Sequence, residues 1–145
     1  MRGILLDTHA LFWLVSGEDV LTEEALVAIG ENQAAGTLFV SPITAWELSI
    51  ATQKNRVAGR PHLGDESPAR WFRQAVAVTE AKVIAINQRI ACEAAAVVIA
   101  TRHRDPGDCF LMATARVRKL GLVTRDRMIQ QIADAEPDYL NIVSC

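Results

Sequence analysis

The stretch Gly3-Ile4-Leu5-Leu6-Asp7-Thr8-His9-Ala10-Leu11 decides how this chain folds. Ile4, Leu5 and Leu6 are consecutive and apolar, which suits a strand buried on both faces, as in a parallel sheet. The strand ends on a carboxylate, Asp7. Residues 8–15 continue as an apolar helix, and Gly17 stands past its end as a C-cap. A buried strand that runs straight into a helix begins a strand–helix–strand unit, whose strands lie parallel.

The alternation recurs along the chain. Thr22-Glu23-Glu24-Ala25 opens a helix to about residue 33, broken by Gly36. Leu38-Phe39-Val40-Ser41 reads as the second strand. Ser41 also looks like an N-cap with Pro42 at the first helical position, for a helix to about residue 54. The stretch Arg56 to Pro68 is the one long polar break, and helix resumes over about 69–79. Lys82-Val83-Ile84-Ala85 is a third strand, and Asn87 caps a helix to about residue 103. Asp105-Pro106-Gly107-Asp108 starts a helix expected to end at Gly121. Leu122-Val123-Thr124 is a fourth strand, a short helix follows from Asp126, and residues 139–143 form a last strand. The pattern predicts an α/β protein, a single domain over 1–145, with a mostly parallel sheet covered on both faces. In such sheets ligands bind beyond the carboxyl ends of the strands.

The 145 residues carry 15 Lys+Arg and 17 Asp+Glu, a net charge of -2, and 50% of them are hydrophobic. That suits one self-supporting core and excludes an intrinsically disordered chain. It also argues against a polybasic coat or an acidic tail. The longest apolar run, Ala94 to Ala100, is far below the ~18 residues of a membrane span. The apolar run ahead of Asp7 is too short for a secretory signal, so a cytoplasmic protein with no membrane partner is expected. Cys92, Cys109 and Cys145 form no C-x-x-C pair, which argues against a disulfide framework or structural zinc.

Four acids fall near the edge that this strand order creates. Asp7 ends the first strand, and Glu47 lies on the helix after the second. Asp108 is in the first turn of the helix before the fourth strand, and Asp126 lies just past that strand. Ile43, Ile50 and Ala51 share the helical face of Glu47, and Leu111, Met112 and Ala115 share that of Asp108. A carboxylate on an apolar face is costly unless it is neutralised or finds a cation. Each acid also has a purely structural reading. Asp7, Asp105 and Asp126 can be N-caps, Asp108 can complete a capping box with Asp105, and Glu47 can pair with an Arg across the core. The functional reading is a carboxylate cluster without thiolates. It suits a hard divalent cation, Mg2+ or Mn2+, and a phosphoryl or phosphodiester substrate. Thr8, Asp105 and Thr124 lie beside the acids and are candidates to orient them.

Other acid-based chemistries fail on spacing. A haloacid-dehalogenase-type phosphatase needs a second Asp where His9 stands, and a receiver domain needs an acidic pair after its first strand. There is no Walker A loop, no G-x-G-x-x-G and no G-x-S-x-G. A metal-free ribonuclease needs two catalytic His, and nothing in the pattern places His9, His62 and His103 together.

Four segments in order resemble the PIN-domain ribonucleases, and among them the VapC-type toxins of bacterial toxin–antitoxin pairs. They are Leu5-Leu6-Asp7-Thr8-His9-Ala10-Leu11, Ser41-Pro42-Ile43-Thr44-Ala45-Trp46-Glu47-Leu48, His103-Arg104-Asp105-Pro106-Gly107-Asp108 and Leu122-Val123-Thr124-Arg125-Asp126. The resemblance implies a three-layer α/β/α fold with strand order 3-2-1-4-5. It implies that Asp7, Glu47, Asp108 and Asp126 hold Mg2+ or Mn2+ for endoribonuclease activity, usually on structured RNA such as tRNA. It further implies a homodimer and a cognate antitoxin, whose C-terminal segment wraps the toxin and can push a basic side chain into the acidic site.

Two positions depart from the family pattern. A large apolar residue is usual where Gly107 stands, and an Arg where Cys109 stands. The departures motivate an alternative, a catalytically weak or inactive binding module serving as antitoxin partner or co-repressor. On the polar break, Arg56, Arg60 and His62 are candidates to touch RNA phosphates or the antitoxin. With Asp7, Glu47, Asp105, Asp108 and Asp126 set apart as an acidic centre, the remaining chain is mildly basic, so the overall charge does not exclude RNA.

Overall fold

A computed structural model of the chain describes residues 3–54 and 60–145. Strand β1 (Ile4–Leu6) alternates its side chains across the sheet, and this alternation organises the core. Ile4 and Leu6 join one buried cluster, and Leu5 joins the other. The remaining elements are α1 (Thr8–Ser16), α2 (Glu23–Ala35), β2 (Leu38–Val40), α3 (Pro42–Ala51), α4 (Pro68–Thr79) and β3 (Lys82–Val83). After them come α5 (Gln88–Thr101), α6 (Pro106–Arg118), β4 (Gly121–Thr124), α7 (Arg127–Ala135) and β5 (Asn141–Ser144).

The sheet has five strands in the order β3-β2-β1-β4-β5. Every pairing is parallel, with Leu5 opposite Phe39 on one side and Leu122 on the other. Ala10, Leu11, Ala25, Ile29, Leu48, Trp71 and Phe72 bring α1, α2, α3 and α4 onto the face of Ile4 and Leu6. Ile90, Val97, Leu111, Met112 and Ile129 bring α5, α6 and α7 onto the face of Leu5 and Leu122. The result is the expected three-layer α/β/α arrangement with the expected strand order.

Helix starts follow the local chemistry. Asp7, Thr22, Ser41, Ser67, Asn87, Asp105 and Asp126 are all N-caps whose side chains accept backbone N–H groups. Gly17 closes α1 in the left-handed conformation, φ 70°.

One helix end differs from expectation. Helix α6 stops at Arg118, and Lys119, not Gly121, takes the left-handed cap at φ 56°. Gly121 is already the first residue of β4, its N–H donating to the Gly3 carbonyl at 3.0 Å. Pairing in the sheet outcompeted the glycine stop signal. Strand β3 is likewise shorter than the apolar run suggested, ending at Val83, although Ile84 N–H still donates to the Val40 carbonyl at 3.0 Å.

Candidate functional site

Strand β1 delivers Asp7 to the carboxyl edge, where it is 6% exposed. Its Oδ1 accepts the Ala10 N–H at 2.7 Å, so Asp7 caps α1 as well as facing the edge. Strand β4 delivers Thr124 and Asp126 beside it. The fully buried Thr124 hydroxyl hydrogen-bonds Asp7 and accepts the Asp126 N–H at 3.1 Å. Asp126 Oδ1 in turn caps α7 through Met128 and Ile129 N–H, at 2.8 and 3.1 Å.

Glu47 arrives from α3. Its Oε1 accepts the Thr8 hydroxyl at 2.5 Å, and Thr8 also lies 3.0 Å from the buried Thr44 hydroxyl. From the opposite layer, the first turn of α6 contributes Asp105 and Asp108. Asp105 Oδ1 accepts the Asp108 N–H at 3.0 Å, and Asp108 Oδ2 meets His103 Nε2 at 2.8 Å.

These acids converge. Asp7, Glu47, Asp105, Asp108 and Asp126 all line one cavity of about 310 Å3, together with Thr8, His9 and Arg125. Among the described residues, Glu47, Asp105 and Asp108 each offer a ligand oxygen within 4.8 Å of the others. Asp105, expected to orient its neighbours, thus stands inside the tightest group, while Asp7 and Asp126 line the cavity outside it. The Arg partner entertained for Glu47 is absent among the described contacts, and Thr8 takes that place.

The electrostatics follow from burial and crowding. Burial pushes Glu47 up to about 7, with Asp108, Asp105 and Asp7 adding repulsion and the Thr8 hydrogen bond opposing it. Burial also holds Asp7 above the usual carboxylate range, against hydrogen bonds from Thr124 and Ala10. Asp108 is raised by the same cause, against its bond to His103. Three acids held up together make a site where ionised carboxylates are poorly solvated. The donor set is oxygen only, with neither Cys nor His in the close trio, which fits Mg2+ or Mn2+ better than zinc.

Sequence reasoning did not connect three participants. His103 is 5% exposed and binds Asp108, but its tie depends on how the loop before α6 turns back. Thr44 is fully buried in α3, and its hydroxyl lies 3.0 Å from that of Thr8. Arg125 lines the cavity while its guanidinium lies over Trp13 at 4.2 Å and binds Asp19 and the carbonyls of Val20 and Cys145. Its position next to Asp126 was the one available signal. His9 is exposed and stacks on Trp13, with ring centroids 5.3 Å apart.

A second groove of about 450 Å3 shares Thr8, Glu47 and Asp105 with the acidic cavity and extends to Trp46, Lys54 and Arg60. Arg60 Nε donates to the Lys54 carbonyl at 2.7 Å. His62 turns to Glu18 instead, at 3.0 Å. Arg56 falls outside the described residues. No helix among the described residues is long and apolar enough to cross a membrane.

Comparison with known proteins bears on this arrangement. The sequence matches the PIN domain family over residues 4–135. No curated protein matches it. Among solved structures, a toxin–antitoxin complex from Klebsiella pneumoniae is 24% identical, covers 97% of this chain and 96% of that chain, and has a TM-score of 0.60. A DNA-bound VapBC from Salmonella typhimurium is 18% identical over 99% and 98% of the two chains, with a TM-score of 0.64. VapBC2 from Rickettsia felis, bound to a DNA fragment from its promoter, is 10% identical over 98% of each, with a TM-score of 0.68. At these identities the likeness is one of fold.

Proposed function

The chain belongs to the PIN-domain family, and on that premise we propose that it is a metal-dependent endoribonuclease, the VapC-type toxin of a toxin–antitoxin pair. The observation that carries this reading is the convergence of Asp7, Glu47, Asp105, Asp108 and Asp126 from separate segments onto one cavity. Structural caps alone need no such meeting.

Glu47, Asp105 and Asp108 would hold a Mg2+ or Mn2+ ion, with Asp7 and Asp126 lining the rest of the cavity. Bound there, the cation supplies positive charge that stabilises negative charge developing on a phosphodiester and makes water a better nucleophile. The protein's own groups do the positioning. Thr8 fixes Glu47, His103 fixes Asp108, and Thr124 ties Asp7 to the backbone of Asp126. Lys54 and Arg60 border the adjoining groove, where RNA phosphates beside the site would find positive charge.

The partner reading rests on the resemblance and on the fold neighbours that are toxin–antitoxin complexes. A cognate antitoxin, a homodimer, a single domain over 1–145, a cytoplasmic setting and structured RNA such as tRNA as substrate belong to the same proposal. The binding-module alternative drew on Gly107 and Cys109. Cys109 is buried, its thiol donating to the His103 carbonyl at 3.1 Å, so it supports the segment that carries His103. The acids around it remain grouped, which favours catalysis.

The test is cleavage of RNA by the purified protein in Mg2+ or Mn2+, with and without EDTA. Cleavage that stops in EDTA and returns with metal is expected. Absence of cleavage on every RNA tried, beside tight antitoxin binding, would transfer support to the binding module.

A further inference from the structure

Gly107 has an ordinary helical backbone in the first turn of α6. The described glycines at positive φ are Gly3, Gly17, Gly36 and Gly64, so no left-handed conformation calls for glycine at 107. Inside a helix glycine is less favourable than alanine. Space explains it. A Cβ built on Gly107 would lie 2.5 Å from Glu47 Oε2 and 2.7 Å from Oε1, and would overlap the carboxyl carbon between them. Gly30 within α2 makes the contrast, since a Cβ there meets nothing within 4 Å.

We infer that Gly107 is a positioning residue: its missing side chain lets Glu47 reach across from α3 and seat its carboxylate against the first turn of α6, beside Asp105 and Asp108. The inference rests on the reading of this cluster as a metal centre. Glu47 is held on its other side by the Thr8 hydroxyl, so the carboxylate is clamped between α1 and α6. With the present packing of α3 on α6, a Cβ at 107 forces the Glu47 carboxylate to shift out of that clamp and away from the other ligand oxygens.

Gly107→Ala tests this, and alanine suits the helix, so the fold is retained. Three measurements are made on wild type and variant: melting temperature, isothermal titration with Mn2+ alone, and a crystal structure of each. The variant is expected to melt at or above the wild-type temperature, to show the Glu47 carboxylate displaced from α6, and to bind Mn2+ about 10- to 100-fold more weakly. An unmoved Glu47, or Mn2+ affinity equal to wild type's, overturns the inference. Wild type that binds no Mn2+ while Glu47 moves in the variant overturns the metal reading and leaves the steric role of Gly107 standing.

Discussion

His103 Nε2 lies 2.8 Å from Asp108 Oδ2, and this bond ties an acid of the cavity to a ring that is 5% exposed. The other ring nitrogen, Nδ1, is buried with no partner among the described residues. Without the ring, the part-buried Asp108 carboxylate would lose this bond. His103→Ala should therefore lower Mn2+ affinity about 10- to 100-fold and cost about 1–3 kcal/mol of stability. Titration calorimetry and denaturant melts measure the two effects. Unchanged Mn2+ affinity would show that Asp108 needs no such hold.

Asp7→Asn and Asp108→Asn should each reduce RNA cleavage by about 100-fold or more, since each removes a negative charge from the cavity. Asn caps a helix about as well as Asp. The Asp7 substitution therefore keeps the α1 cap that Oδ1 makes to Ala10, and its melting curve should stay near wild type. Full cleavage by both variants would remove these residues from the site.

Stability should depend on Glu47 in a predictable direction. Its folded pKa is raised from 4.5 to about 7, so between those values the folded state holds a proton that the unfolded state has lost. Stability therefore falls as pH rises through this window and levels off above it. Glu47→Gln removes the titration. It should raise the melting temperature relative to wild type by a few degrees at pH 8, and by less at pH 5. Equal differences at both pH values would contradict the burial of an ionisable Glu47.

Cation binding should show the matching trend. The proton on Glu47 competes with the metal, so Mn2+ affinity is expected to rise as pH increases toward and past about 7. Titrations at pH 6 and pH 8 on wild type and Glu47→Gln compare this directly. A wild-type affinity that does not change with pH would argue that Glu47 is not a ligand.

Arg60→Ala addresses the groove beside the cavity. If Arg60 meets an RNA phosphate, its loss weakens binding across RNA sequences and lowers the salt slope of log affinity by about 1. Catalytically inactive Asp108→Asn protein serves as the background for filter binding. An unchanged slope would place the RNA elsewhere.

Much of this protein is readable residue by residue. The run Ile4-Leu5-Leu6 ending on Asp7, the Ser41-Pro42 start and the Asp105-Pro106 start are local signals. Local signals are decided within one turn of backbone, so the strand–helix order and nearly every N-cap follow from them. At Gly121, where the glycine stop signal erred, the sheet supplied a stronger partner than the local turn.

The acids were legible because an apolar helical face makes a carboxylate conspicuous, as at Glu47 and Asp108. Which of them lie closest together was not legible. Asp105 joins the close trio and Asp7 does not, because membership depends on how α3 and α6 pack across the edge of the sheet. The clamp of Glu47 between Thr8 and Gly107 depends on the same packing, as does the hold of His103 on Asp108. Sequence by itself determined which segments are strands, which are helices, and which carboxylates stand at the sheet's carboxyl edge. Only the tertiary structure decided which oxygens come close enough to share a cation, because that distance is set by side chains meeting between layers that the chain visits far apart.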